Sequence, residues 1–232
     1  MTSIKTPDIS IIIPVFQEEA IIFETIDTLK TLDDFTAAEI IIVDGEPTNS
    51  TIRAIRDASV KTLAAAKGRS RQMNAGAATA RGKILLFLHA DSRLPKDALW
   101  HIRRVALTNN IAAGAFELAI DASGPAFRVI ERMASWRSRL TRIPYGDQAI
   151  FIKREVFKDM GGYQPIPIME DINLMQRLKK SGGKIEIIRQ KVRTSARRWH
   201  EEGIIACTLR NWLLSTAYYL GISPEKLKRY YP

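Results

Sequence analysis

Asp91 stands where a reactive or binding group is easily built. It follows the apolar run Lys83–His89, which reads as a buried strand. A carboxylate at the solvent end of such a strand can hold Mg²⁺ or Mn²⁺, and the metal can bridge to a diphosphate. The same position also suits a cap for the helix that starts at Pro95. His89 lies two residues earlier, and in an alternating strand residues 89 and 91 point the same way. Glu170 and Asp171 form a second set, opening a helix after Pro165–Met169. One of them could take the proton of an acceptor hydroxyl as a general base, although acids favour a helix N-terminus in any case. Lys67, Arg69 and Arg71 surround Gly68 beside another helix start. They read either as a phosphate cradle or as a solvated basic loop.

Other chemistries lack their signatures. No Gly-x-Gly-x-x-Gly follows the first strand, and no Gly-x-x-x-x-Gly-Lys-Ser/Thr occurs, which weakens the dinucleotide and P-loop readings. No Gly-x-Ser-x-Gly elbow supports a serine nucleophile. The single cysteine, Cys207, excludes an internal disulfide framework and any multi-cysteine metal site. Its apolar surroundings suit a buried, inert thiol.

The elements that must position these groups alternate. Strands are expected at Asp8–Phe16, Glu39–Asp44, Val60–Ala64 and Lys83–His89, with helices at Glu18–Leu32, Ser50–Asp57, from about Ser70 to Ala80, and from Pro95. This rhythm implies a doubly wound α/β sheet, whose ligands sit beyond the carboxyl ends of the strands. Glu18 or Glu19, Asp44 and Asp91 fall near such ends. The second half is less regular. It reads as a strand at Ala113–Ile120, a helix at Phe127–Leu140, short strands at Gln148–Ile152 and Lys184–Ile188, and helices at Asp171–Lys180 and Thr208–Leu220.

The chain has 232 residues and a formal charge of +10. Residues 1–116 carry 14 basic and 13 acidic side chains, whereas residues 117–232 carry 21 and 12. The surplus sits almost wholly in the second half and implies an anionic partner. Its basic residues are dispersed and no nucleic-acid motif accompanies them, so a nucleic-acid-binding module is the weaker reading. The polar start, Met1 to Asp8, shows no signal peptide, and Gly203–Ile222 contains Arg210 and Asn211, so a spanning helix is not expected. A cytoplasmic location is expected. The late helix, with Trp212, Leu213, Leu214, Tyr218, Tyr219 and Leu220, has a wide apolar face flanked by Arg210 and Lys226–Arg229. It reads as packing on the domain, as a homodimer contact, or as peripheral contact with the inner face of a membrane.

Six motifs in order resemble family 2 glycosyltransferases of the GT-A fold. They are Ile11–Glu19, similar to an opening strand and Pro-x-x-Asn-Glu turn, then Ile42–Asp44, Arg71–Ala77, Gly82–Asp91, Gly161–Tyr163 and Glu170–Asp171. The resemblance runs from about residue 8 to residue 200. Gly68–Asn74 and Arg197–Trp199 also resemble a small bacterial subgroup of that family.

The resemblance implies one GT-A domain over residues 1–232, a Rossmann-like mixed sheet flanked by helices. A nucleotide-sugar half would span about 1–116 and an acceptor half about 117–232. It implies that Pro14, Phe16, Glu18, Glu19 and Asp44 contact the nucleoside, that Arg69 or Arg71 lies near the diphosphate, and that Gly68 and Asn74 also belong to the donor side. Ala90 and Asp91 would end an Asp-x-Asp metal motif whose first acid is here His89, with His200 as a candidate further ligand. Asp171, or else Glu170, would be the base. Tyr145, Asp147, Gln148, Tyr163, Arg198 and Trp199 would border the acceptor. Trp136 reads as core or as a stacking face. Ser195 replaces the Gln of a Gln-x-x-Arg-Trp motif, which argues against a processive synthase. The activity implied is metal-dependent (Mn²⁺ or Mg²⁺), inverting, non-processive transfer from a UDP- or GDP-linked sugar to a hydroxyl, with a lipid-linked acceptor compatible with the charge. A nucleotidyltransferase and a catalytically degenerate nucleotide-sugar binder are the alternatives.

Overall fold

Runs of β-branched residues make the centre of the sheet. The computed structural model describes residues 7–108 and 110–231, so most of the polar opening stretch lies outside the described residues. Strands β1 (Ile9–Val15), β2 (Ala38–Asp44) and β3 (Lys61–Ala64) are parallel, and β4 (Ile84–Phe87) runs parallel to β1 on its other side. Strands β5 (Ser92–Arg93), β6 (Ile111–Asp121), β7 (Phe151–Lys153) and β8 (Lys184–Ser195) complete one mixed sheet of order β3-β2-β1-β4-β7-β6-β8-β5. β7 is antiparallel to both β4 and β6, β8 is parallel to β6, and β5 is antiparallel to β8.

Both faces are covered, which is why the central strands are apolar on both sides. Ile9, Ile11 and Ile13 pack with Ile40, Ile42 and Leu86 under α1 (Ile22–Lys30), α2 (Ser50–Ala54) and α4 (Ala98–Leu107). Ile12, Ile41, Val43 and Leu85 point the other way, toward α3 (Arg69–Thr79), α6 (Arg154–Asp159) and α7 (Glu170–Lys180). Ser10 is the polar exception on that face. Its hydroxyl donates to Glu39 Oε1 at 2.6 Å and accepts from the Gly82 amide at 2.9 Å. The remaining helices, α5 (Pro125–Thr141), α8 (Arg197–Glu202), α9 (Ile204–Tyr219) and α10 (Pro224–Lys228), belong to the second half.

The expected alternation holds, with displaced boundaries. The first helix starts at Ile22 rather than Glu18, because Gln17 takes a left-handed φ of 57° and the Glu18 carbonyl receives the Ile21 and Ile22 amides in a turn. The Gln148–Ile152 strand shortens to β7, because residues Gly146–Gln148 form a 3₁₀ turn and Ala149 has φ 50°. β8 runs on to Ser195 past a bulge opposite Phe116 and Glu117, since one extra looped-out stretch lets pairing resume. Residues Arg197–Glu202 are helical, so Trp199 and His200 sit on α8. Among the described residues no helix is long and apolar enough to cross a membrane.

Candidate functional site

The carboxyl ends of β1 and β4 open onto one cleft of about 980 Å³. Its first wall is the end of β1 and the turn after it, with Pro14, Phe16 and Glu18, and the loop after β4, with His89, Ala90 and Asp91. The start of α3 adds Lys67, Gly68, Arg69 and Arg71. Gly68 has φ 131°, a conformation that a residue with a Cβ adopts only under strain, so the basic loop can turn sharply into the helix. Lys67 Nζ lies 4.4 Å above the Phe16 ring.

Opposite stand the loop Pro165–Met169, Glu170 and Asp171 at the start of α7, and Tyr145 to Asp147 in the 3₁₀ turn. Gly146 is where the two walls meet. A Cβ there would lie 3.1 Å from His89 Nε2 and 3.4 Å from Asp171 Oδ2, so a larger residue would crowd His89. The Gly146 amide donates to Asp171 Oδ2 at 2.5 Å, and the Ile172 amide donates to Oδ1 at 2.7 Å. Two N–H groups thus hold the Asp171 carboxylate in one orientation. Arg69 faces the hydroxyl of Tyr231 and the carboxylates of Glu170 and Asp171.

The electrostatics follow from crowding acids and cations away from water. Burial, aided by the Asp171 charge, pushes Glu170 up to about 7. Loss of solvent raises Asp147 to about 6, against the opposing pull of Arg137. Glu18 is raised by burial and by Asp91, and Arg197 works against both. Desolvation, reinforced by Arg69 and Arg198, lowers His89 to about 3. Its imidazole is therefore neutral at physiological pH and keeps a lone pair.

Among the described residues, no three His, Cys, Asp or Glu side chains converge as a ready-made metal site. Asp91 and His89 do share the loop after β4 and line the same cleft. One carboxylate oxygen and one neutral imidazole nitrogen are donors that suit Mn²⁺. Asp91 and His89 are therefore the residues that would hold a divalent ion in this cleft.

Most residues expected at the site do line the cleft, including Arg198 and Trp199 from α8. Six do not. Asp44 is fully buried, and its oxygens accept from the Glu46 amide at 2.9 Å and the Ile52 amide at 3.2 Å. It fastens the loop after β2. Asn74 is turned away to clasp the Tyr163 backbone, donating to its carbonyl at 2.8 Å and accepting from its amide at 2.9 Å. Tyr163 packs edge-on against Phe87 at 4.9 Å and floors a small adjoining cavity only. Gln148 is buried, donating to the Phe116 carbonyl and Ser138 hydroxyl and accepting from the Tyr145 amide. Glu19 lies beside the lining rather than in it. His200 points outward against Phe127, with ring centroids 5.9 Å apart. Trp136 is neither core nor cleft, at 68% exposed.

The structure adds groups that the sequence did not single out for this site. Arg197 reaches Glu18 at 3.6 Å. Tyr231 enters the cleft from the end of the chain, where its hydroxyl accepts from Arg198 at 2.5 Å and its ring lies under that guanidinium at 4.6 Å. Asn211 and Ser215 on α9 complete the wall. The polar and proline punctuation of Pro165–Pro167 before two acids was a local signal for its loop. Tyr231 had none, because its placement depends on α10 folding back.

Residues 10–163 match the family described as Glycosyl transferase family 2. No curated protein sequence matches. Among solved structures, the chain is similar to the mannosyltransferase PcManGT from Pyrobaculum calidifontis, solved in complex with GDP-Man and Mn²⁺ (TM-score 0.70, 18% identity). That likeness covers 92% of this chain and 62% of the other. It is also similar to S. aureus TarS 1–349 (TM-score 0.62, 16% identity), covering 81% of this chain and 60% of that one. The chain thus spans less than two thirds of either neighbour, and at these identities the likeness is one of fold. The sequence match covers most of the chain and bears on the same strands and loops that build the cleft, so the chain belongs to glycosyl transferase family 2.

Proposed function

We propose that this cleft transfers one sugar at a time from a nucleotide-diphospho-sugar to a hydroxyl acceptor, with inversion at the anomeric carbon. The observation that carries the reading is the placing of the acids. Asp91 lines the cleft with Lys67, Arg69 and Arg71, and the Asp171 carboxylate, oriented by two amides, lines the same cleft. An inverting transfer needs a base and a leaving-group site on opposite faces of the sugar, and we assign Asp171 to the first and the Asp91 cluster to the second. The fold it shares with a mannosyltransferase solved with GDP-Man and Mn²⁺ supports a GDP- or UDP-linked donor.

In this mechanism Asp171 accepts the proton of the acceptor hydroxyl as its oxygen bonds to the anomeric carbon. The bond from that carbon to the diphosphate oxygen breaks, and the charge released there is met by the cations of the basic loop. Asp91 and His89 would hold a divalent ion, which supplies Lewis-acid stabilisation of the departing diphosphate when bound. Tyr145, Asp147, Arg198 and Trp199 border the acceptor side. No protein nucleophile takes part.

The test is Asp171→Asn, assayed with a panel of nucleotide sugars and Mn²⁺. Transfer and slow donor hydrolysis should fall by about 10²-fold or more, the scale of a lost general base. Binding of the nucleoside diphosphate, measured calorimetrically, should change little. Unchanged turnover would remove Asp171 from the mechanism.

A further inference from the structure

The part of the surface farthest from ordinary behaviour lies on two neighbouring helices. On α5, Val129, Met133, Trp136 and Leu140 are 53%, 44%, 68% and 68% exposed. At 3.6 residues per turn they fall in roughly a 60° sector. That sector is opposite Phe127, Glu131, Ser135 and Ser138, the face α5 buries on the sheet. On α9, Ile205, Leu209, Trp212, Leu213 and Leu220 just past its end are 75%, 50%, 45%, 69% and 79% exposed. They fall in roughly a 100° sector by the same geometry.

Side chains link the two helices near both of their ends. Near their starts, Ile130 and Ala134 of α5 pack in one cluster with Trp199 and with Ile204 of α9. Near their ends, Arg137 stacks 3.4 Å from the Tyr145 ring, and the Tyr145 hydroxyl meets that of Tyr219 on α9. On each helix the exposed apolar sector adjoins the side that faces the other. The two stripes therefore form one apolar face, larger than scattered surface hydrophobes require.

On α5 and α9 themselves the exposed charges are of one sign. α9 carries no acidic residue, and the single acid of α5, Glu131, is 2% exposed and spent on the Ile120 amide and Arg128. Arg132 is exposed on the α5 flank, and Arg139 and Arg142 extend the basic rim, each also reaching a carboxylate. Two copies of such a face would bring like charges together.

We infer that the α5–α9 face docks on an anionic lipid bilayer, its apolar stripes entering the headgroup boundary and its arginines meeting lipid phosphates. The opposite side of α9 lines the cleft through Asn211, Leu214 and Ser215, so docking holds one wall of the cleft close to the membrane.

The experiment is vesicle co-sedimentation of the full chain. Vesicles of phosphatidylcholine alone are compared with an equal mixture of phosphatidylcholine and phosphatidylglycerol, at low and high salt. The protein should bind the mixed vesicles at low salt, with a blue shift of tryptophan emission. Combining Trp136→Glu with Leu213→Glu should cut the partition coefficient about tenfold or more. Arg132→Gln, a mild surface change, should weaken binding at low salt and not at high salt. Unchanged melting temperatures show that the variants fold. Failure to bind mixed vesicles at low salt overturns the inference, as does equal binding by the double variant. So does a dimer in solution that Trp136→Glu dissociates, which would assign the face to a second copy.

Discussion

Glu170→Gln should reverse part of the pH dependence of stability. Glu170 is 7% exposed, and burial together with the Asp171 charge raises it from 4.5 to about 7. A carboxyl raised in this way keeps its proton longer in the folded chain than in the unfolded one. Its favourable contribution is complete below about pH 4.5 and is lost as pH rises through about 7. At about 1.4 kcal/mol per unit, the full displacement corresponds to about 3 kcal/mol. Glutamine matches the protonated form in shape and does not ionise. Urea unfolding of both proteins between pH 4 and pH 8 should show near-equal stability at the acid end. The variant should be ahead by about 3 kcal/mol at the alkaline end. Repeating the pair on an Asp171→Asn background should shrink the gain, since the neighbouring charge is the second cause. A stability difference that stays flat with pH would refute the reasoning, and with it the account of a crowded acid pair at the start of α7.

Three further changes test other parts of the structure. Gly82→Ala puts a Cβ 2.6 Å from the Ser10 amide nitrogen and 2.7 Å from the Ile9 carbonyl carbon. Backbone cannot step aside as a side chain can, so denaturant melts should show a loss of about 1–3 kcal/mol or more. Gln72→Leu removes the buried amide that donates to the Val15 carbonyl at 2.7 Å and the Val43 carbonyl at 2.8 Å, tying the ends of β1 and β2. It should cost about 1–3 kcal/mol by the same measurement. Asp91→Asn should abolish the enhancement of GDP or UDP binding by Mn²⁺ in calorimetry while leaving metal-free binding nearly unchanged. An intact Mn²⁺ enhancement would free Asp91 of the metal-holding role.

Local pattern carried the first half of the fold further than the second. β1, β2 and β4 are short apolar runs with turn residues at their ends, and such runs state their own identity. The positions of Glu18, Asp91 and Arg69 at strand and helix ends followed directly. Asp44, Asn74 and Gln148 lie outside the cleft and are held by backbone partners. Asp44 has the right place at a strand end, but the nearby Glu46 and Ile52 amides satisfy it, and the others have partners more remote in sequence. Asn74 lies one helical turn past the basic loop, yet it faces the Tyr163 backbone 89 residues on. The side chain of Gln148 is held by β6 and α5. Polar residues in these places look alike in sequence whether they hold a ligand or hold the backbone. The extension of β8 and the two-residue β5 were illegible for the same reason, since pairing across about a hundred residues leaves no local mark.

That last pairing bears on how the protein comes to exist. Ser92 and Arg93 pair with Thr194 and Arg193, and the Ser195 amide donates to the Asp91 carbonyl at 3.2 Å. The loop carrying Asp91 is thus stapled to a strand made about a hundred residues after it. A chain emerging from the ribosome can build β1 to β4 and the helices over them from local contacts. It leaves the Asp91 loop without its edge strand until β8 has followed. Closing so distant a contact is the slow kind of step, and α8 and the residues after it, which supply Arg198 and Tyr231, come later still. Ligand-binding competence therefore waits for α8 and Tyr231 to be made, well after the core has formed.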